Sequence, residues 1–126
     1  MMRHVLIHNQ NRPGGQPVRA RYCDGFACRL RGFTFRRNLA PSEALLLVQT
    51  RQNRLDAGIH MLGVLTDLAV FWINENGDVV DLCLARRWKP FYIPRQPARY
   101  VLEMAPERLP EFRIGDRISI EEISLD

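Results

Sequence analysis

His60 and Asp67 are the residues whose types best suit proton transfer, because histidine titrates near neutral pH and a carboxylate can serve as its partner. Both lie in an apolar segment, residues 59–82, with the sequence IHMLGVLTDLAVFWINENGDVVDL. A buried aspartate must pair, accept hydrogen bonds or shift its pKa upward. The functional hypothesis is therefore a proton-handling pair in a cleft, formed by Asp67 with His60 or with an arginine.

The spacing of the two residues argues against direct contact. Seven positions separate them, which places His60 and Asp67 on opposite faces of an unbroken strand. Gly63 weakens this objection, because a glycine inside a strand often marks a bulge or a bend. The favoured interpretation is structural: Asp67 accepts backbone N–H groups at the start of a strand.

Three further polar residues, Arg36, Arg99 and Glu103, are candidates for ligand binding. Arg99 and Glu103 are four positions apart, so they share a face if their segment is a strand. Such a pair would position an anionic or carbonyl ligand, or it would form a structural ion pair of small energy. The structural role is favoured.

The segment ARRWKPFYIPRQPARY, residues 85–100, interleaves cations with aromatic rings, among them Arg87 and Trp88. Cations beside stacking rings are typical of surfaces that bind single-stranded nucleic acid. Prolines fix this segment as a loop, and aromatic residues in such loops often fold back over the end of a β structure. No known nucleic-acid motif accompanies the pattern, so this hypothesis is the weaker one.

The elements that must position these residues are mostly strands, because short apolar runs alternate with Gly, Pro and Asn. Strands are predicted at 4–8, 18–23, 45–48, 68–73, 79–85, 99–104 and 113–122. Asp24 is the predicted N-cap of a short helix through 25–31, which Gly32 ends. A turn is predicted at Asn76-Gly77, and the strand at 68–73 is apolar on both faces and so central. Residues 50–58 are predicted to be an exposed loop. The prolines after residue 89 are predicted to exclude regular structure from that segment.

Composition indicates an ordinary globular protein. The chain has 126 residues, 46% of them hydrophobic and 25% charged, with a net charge of +4. This is the size of one domain, predicted to span 1–126. No apolar run is long enough to span a membrane or to form a signal peptide, so the sequence predicts a cytoplasmic location without membrane contact.

The three cysteines, Cys23, Cys28 and Cys83, form an odd set. An odd number argues against a disulfide framework, and no second pair completes a zinc site. The sequence predicts reduced, partly buried thiols, with no metal and no cofactor.

Several segments occur in a familiar order: GFTFR at 32–36, ALLLV at 44–48, FWINENGDVVD at 71–81, ARYVLE at 98–103 and IGDRI at 114–118. From about residue 18 to 121 the chain resembles the domain-of-unknown-function 192 family, also called uncharacterised protein family 0127. The resemblance implies a compact, mostly antiparallel β barrel or sandwich, α+β at most, with one short helix after the first hairpin. It implies no activity, so it assigns no functional residues.

The departures from the family pattern fall around the candidate pair. Family members commonly read Trp-Met-Lys-Asn-Thr and then Pro-Leu-Asp ahead of the apolar strand. This chain has His60 to Val64 in place of the first motif, and Ala69 where the usual Asp stands. Asp67, two positions earlier, points to the same face as Ala69 in a strand.

The sequence thus favours a non-catalytic module that binds a small molecule or a protein. Its expected surface includes Arg36, His60, Asp67 and the 86–99 loop. One alternative is an enzyme that uses His60 and Asp67 as acid and base. The other alternative is a single-stranded nucleic-acid binder that uses the 86–100 loop.

Overall fold

The apolar and polar alternation of the sequence produces a chain dominated by strands. In the computed structural model, which describes residues 3–123, 45% of residues are in strands and 10% in helices. The elements, in chain order, are β1 (His4–Asn9), β2 (Val18–Cys23), α1 (Phe26–Arg31), β3 (Ala44–Asn53), β4 (Ile59–His60), β5 (Leu68–Ile73), β6 (Val79–Ala85), β7 (Phe91–Tyr92), β8 (Ala98–Met104), a 3₁₀ helix (Pro106–Glu111) and β9 (Ile118–Ile123).

Among the described residues, seven strands form one mixed sheet in the order β6-β5-β8-β3-β2-β1-β9. Every neighbouring pair is antiparallel except β2 and β3, which are parallel. The short strands β4 and β7 pair with each other. The predicted fold class is confirmed: a mostly β, sandwich-like architecture with one short helix after the first hairpin. Within residues 3–123 the strands do not close into a barrel.

The sheet buries apolar side chains on both of its faces. Phe71 and Leu102 belong to the core on one face, where the Phe71 ring meets Phe112 after the 3₁₀ helix at 5.0 Å between centroids. Trp72 and Val101 belong to the core on the other face. All six residues of β5 are buried, because the strand lies between β6 and β8 with both faces covered. The prediction of a central strand is confirmed.

Both ends of the described chain belong to the same sheet, since β1 pairs with β2 and with β9. This pairing supports our proposal that the chain is one domain, although residues 1–2 and 124–126 of the predicted range lie outside the described residues.

Three local predictions need correction. Asp24 does not cap α1: Gly25 is the N-cap residue, and the Asp24 carboxylate instead lies 3.6 Å from Arg3 Nη1. Strand β3 continues to Asn53, into the predicted loop, because Asn53 pairs with Ala98 after a bulge. The proline-rich segment contains β7, since its prolines flank Phe91–Tyr92 and leave both N–H groups available for pairing.

The prediction of reduced thiols was wrong for Cys23 and Cys28. Cys23, at the end of β2, forms a disulfide with Cys28 in α1, and their Cα atoms are 5.7 Å apart. That separation lies within the range of ordinary disulfides, and it arises because the helix turns back directly after the strand. Cys83 keeps a free thiol, whose pKa burial raises to about 12.

Candidate ligand-binding site

A cleft of about 360 Å³ opens between α1, β3, β4 and β8. Apolar side chains from the second core, such as Leu47 and Ile59, line part of it. Its polar lining comes from Arg29, Arg31, Gln49, Thr50, Asp56, His60 and Glu103. The mixture of apolar walls and a few polar groups is typical of small-molecule sites.

Glu103 is the most unusual residue of the cleft. Strand β8 places it between Leu45 and Val70 of the neighbouring strands, and only 4% of its surface is exposed. No other residue of the described chain hydrogen-bonds to its carboxyl group or forms an ion pair with it. Burial therefore raises the pKa of the Glu103 carboxyl to about 7, from an ordinary value of 4.5.

The end of the helix lies directly against this carboxyl group. Gly32 ends α1 with a φ of +48°, and a Cβ added there would lie 3.4 Å from Glu103 Oε1. A glycine at this position therefore provides both the left-handed turn and the close approach of the backbone.

His60 enters the cleft from β4. Its Nε2 lies 2.7 Å from the carbonyl oxygen of Leu30 in α1. A carbonyl can only accept, so Nε2 carries a proton and donates it; the second ring nitrogen is Nδ1. This Nδ1 is buried and has no partner within residues 3–123. The cleft thus contains a histidine and a carboxyl group that both have unused hydrogen-bonding capacity.

Arg29 joins the helix to the sheet. Its Nη1 donates to the backbone oxygens of Val48, at 3.0 Å, and Asp24, at 3.2 Å. These bonds hold α1 over β3 and so maintain one wall of the cleft. Sequence reasoning missed five polar residues of the cleft: Arg29, Arg31, Gln49, Thr50 and Asp56. A usable signal existed for Gln49, because it ends an apolar strand segment, just as Glu103 interrupts one.

Asp67 is not part of this cleft. Its Oδ1 accepts the backbone N–H of Arg87 at 2.9 Å, and its Oδ2 accepts from Arg86 Nη1 at 3.1 Å. The bond from the Arg87 backbone, together with the Arg86 guanidinium, lowers the pKa of Asp67. Asp67 thus accepts a backbone N–H just before β5, as the structural interpretation predicted.

His60 and Asp67 do not share a strand. Strand β4 ends at His60, and the chain turns at Gly63, whose φ is +75°, before β5 begins. The predicted break at Gly63 is therefore present, but the residues on either side have separate partners.

Arg99 and Glu103 form no ion pair in the described part of the chain. Arg99 Nε donates to the backbone oxygen of Gln49 at 3.3 Å, and its guanidinium lies 5.9 Å from the centre of the Tyr100 ring. Four positions of strand separate the two residues by about 13 Å, which favours separate contacts. The predicted structural ion pair is wrong.

The remaining predicted binding residues lie elsewhere. Arg36 pairs with Glu43, with Nη2 at 2.8 and 2.6 Å from the two carboxylate oxygens. Arg87 is exposed, and Trp88 is 76% exposed. Phe91 is 58% exposed. The prediction that the aromatic rings of this loop fold back over the sheet is therefore wrong for Trp88 and Phe91. Of the predicted site residues, the structure brings only His60 and Glu103 into this cleft.

The described residues contain neither a membrane-spanning helix nor a candidate metal-binding cluster. No helix between residues 3 and 123 is both long and apolar enough to cross a membrane. In the same range, no three His, Cys, Asp or Glu side chains are grouped so that they could hold a metal ion.

The fold and the cleft define a small, mostly β protein with a partly buried polar site. A family model described as "Uncharacterized ACR, COG1430" matches residues 7–120, and the chain belongs to this DUF192 family. This confirms the resemblance found in the sequence.

Relatives in two Pyrococcus species match most of the chain. The chain is 33% identical to a UPF0127 protein of Pyrococcus furiosus over 104 residues, which are 80% of this chain and 85% of that protein. It is 31% identical to a UPF0127 protein of Pyrococcus horikoshii, covering 90% of this chain and 96% of that protein.

Two solved structures share the fold. One, from Sinorhizobium meliloti, is described as a "putative transcription regulator"; it has a TM-score of 0.75 at 18% identity, covering 94% of this chain and 93% of that one. The other, a protein of unknown function from Novosphingobium aromaticivorans, has a TM-score of 0.74 at 14% identity, covering 94% and 84%.

Proposed function

We propose that the chain binds a small molecule in the cleft beside Glu103, and that this molecule carries an amino or hydroxyl group on an apolar body. The observation that carries the proposal is the buried Glu103 carboxyl, which has no partner within residues 3–123. The Glu103 oxygens keep some solvent contact in the cleft, while burial of the rest of the residue makes their ionisation cost free energy. A ligand that donates to this group recovers that free energy.

The chemistry of the ligand follows from the groups that it would meet. The Glu103 carboxylate accepts hydrogen bonds, and the buried His60 Nδ1 has no partner within residues 3–123. The apolar walls, with Leu47 and Ile59, suit a short hydrocarbon portion. An ammonium group would favour the ionised form of Glu103, whereas a carboxylate ligand would oppose it.

Three probes of one size distinguish these cases: butylamine, butanol and butyrate at equal ionic strength. We expect butylamine and butanol to shift backbone amide NMR signals around Glu103 and His60, and butyrate to shift them less. Replacing Glu103→Gln removes the charge and should weaken butylamine binding most. The exposed Glu107 is the matched control for the same substitution. Shifts confined to other surfaces, or equal behaviour of both variants, would refute the proposal.

Acid–base catalysis in the same cleft is a second candidate, and it rests on the Glu103 pKa of about 7. A general acid or base works best when its pKa lies near the working pH. In this candidate, Glu103 and His60 form the acid–base pair. Asp67 is not the partner of His60, because its carboxylate bonds to Arg86 and Arg87. A ¹³C NMR titration of the Glu103 carboxyl tests the premise. A midpoint near 4.5 would remove this candidate.

Nucleic-acid binding by the 86–100 loop is a third candidate, favoured by the exposure of Trp88 and Phe91. Exposed rings beside cations are available for stacking on bases. Trp88 fluorescence during titration with a single-stranded RNA reports on this directly, since the only other tryptophan, Trp72, is buried. If the RNA does not quench Trp88 fluorescence at low salt, this candidate is excluded. It is also excluded if the quenching does not depend on the salt concentration.

The cytoplasmic location stays a prediction. A disulfide such as Cys23–Cys28 is more typical of oxidising compartments, so it argues against that location. Trapping free thiols by alkylation at cell lysis would decide between one and three free cysteines.

A further inference from the structure

A second cavity, of about 390 Å³, lies beside β1 and β2 and is rich in arginine. Its polar lining consists of His4, Arg19, Arg21, Arg36, Ser42 and Glu43. Among the described residues that line it, Glu43 supplies the one carboxylate against three guanidinium groups. None of these polar residues lines the cleft around Glu103, although the apolar Phe33 lines both cavities.

The strand register explains why these cations gather. Residues 18 and 20 of β2 are buried in the core, so the alternate residues Arg19 and Arg21 project from the opposite face of the sheet. The β1–β2 pairing then sets His4 directly opposite Arg21.

The basic groups are largely unpaired. Arg21 Nε and His4 Nδ1 are buried without a hydrogen-bond partner within the described chain. Among residues 3–123, Arg19 and Arg21 form no ion pair. Arg36 uses Nη2 to bind both oxygens of Glu43. This pairing neutralises one of the three guanidinium groups, so the described residues of the lining keep an excess of two positive charges.

We infer that this cavity binds a small phosphate-type dianion, such as inorganic phosphate or the phosphoryl group of a small metabolite. A phosphate carries between −1.5 and −2 charges at pH 7, by the usual rough estimate, and so matches the excess of two. Guanidinium groups bind its oxygens through paired, charge-assisted hydrogen bonds. Phosphate also supplies the acceptor that the buried Arg21 Nε lacks. A half-open cavity of this size suits a small molecule better than a polymer.

Isothermal titration calorimetry of the full chain with sodium phosphate at pH 7.5 tests the site, against sodium chloride and sodium acetate at the same ionic strength. We expect saturable binding of phosphate, weaker binding of acetate and none of chloride. Because each arginine contributes charge-assisted hydrogen bonds, Arg21→Gln and Arg19→Gln should each weaken phosphate binding by about tenfold or more. Arg19 is exposed, so its variant remains informative if Arg21→Gln does not fold.

Arg113→Gln is the matched control, because Arg113 is exposed and its side chain lines none of these cavities. Equal weakening by this variant would assign the effect to overall charge and overturn the inference. Absence of saturable binding, or tighter binding of acetate than of phosphate, would also overturn it. The same holds if a single-stranded oligonucleotide binds through Arg19 and Arg21 more tightly than phosphate, with a steep salt dependence.

Discussion

Glu103 Oε1 lies against the backbone of Gly32, so close that a Cβ on Gly32 would be 3.4 Å away. This relationship joins the middle of β8 to the end of α1, two elements that are far apart in the sequence. It places the buried carboxyl at the boundary between the sheet and the helix, where the cleft opens.

Glu103→Gln should stabilise the protein at high pH and leave it unchanged at low pH. The folded-state pKa of Glu103 is about 7, above the ordinary 4.5, so the folded state binds more protons between these values. Stability that is fully present below pH 4.5 is therefore lost as the pH rises through 7. Urea unfolding at pH 4.5 and pH 8 measures the effect. The variant should gain up to about 3 kcal/mol at pH 8. Glu107→Gln should show no such pH-dependent gain, and an identical pH profile for Glu103→Gln and wild type would contradict the assignment.

His60→Ala should destabilise the protein, because the Leu30 carbonyl loses its donor at 2.7 Å. The expected loss is about 1–2 kcal/mol in the free energy of unfolding. His60→Gln is the matched variant, since its amide nitrogen reaches the position of Nε2 and keeps most of the bond. Equal losses in both variants would show that packing, and not this hydrogen bond, determines the effect. Urea unfolding at pH 7 measures it.

Asp67→Asn should make the protein less stable at neutral pH and less sensitive to acid. The folded-state pKa of Asp67 is lowered, first by the Arg87 backbone N–H and further by Arg86. Its contribution is present above the ordinary pKa of 3.8 and is lost as the pH falls through the lower folded value. The expected loss at pH 7 is about 0.5–1 kcal/mol, because the carboxylate is partly solvated. Acid unfolding followed by circular dichroism measures it, and an unchanged acid transition would disagree with the prediction.

Gly77→Ala should be strongly destabilising. Gly77 has a φ of +91°, and a Cβ there would lie 2.7 Å from the backbone oxygen of Ile118. The clash is with backbone, so β9 would have to move, and a loss of about 2 kcal/mol or more is expected. Gly14→Ala is the control, because no atom lies within 4 Å of its added Cβ and its φ is not positive. Thermal unfolding of both variants decides the point; a melting temperature for Gly77→Ala that matches wild type would contradict it.

Sequence patterns determined the features that depend on near neighbours. The apolar run at 68–73 predicted a central strand, and β5 is buried on both sides. Asn76-Gly77 predicted the turn, and Gly77 donates its N–H to the Asn74 oxygen at 3.0 Å with a positive φ. Gly32 predicted the end of α1. Each of these features follows from periodicity or from the conformational freedom of glycine, which act over a few residues.

Only the tertiary structure decided which distant residues meet. The parallel pairing of β2 with β3 and the position of β8 between β3 and β5 depend on the strand order, which no local pattern encodes. The strand order, together with the packing of α1 and β4 over the sheet, brings Glu103 and His60 into one cleft and gives Asp67 partners in the 86–87 segment instead. It also pairs β1 with β2, which gathers Arg19 and Arg21 beside His4. The sequence by itself therefore determined the strands and turns, whereas long-range strand pairing decided which side chains share a site.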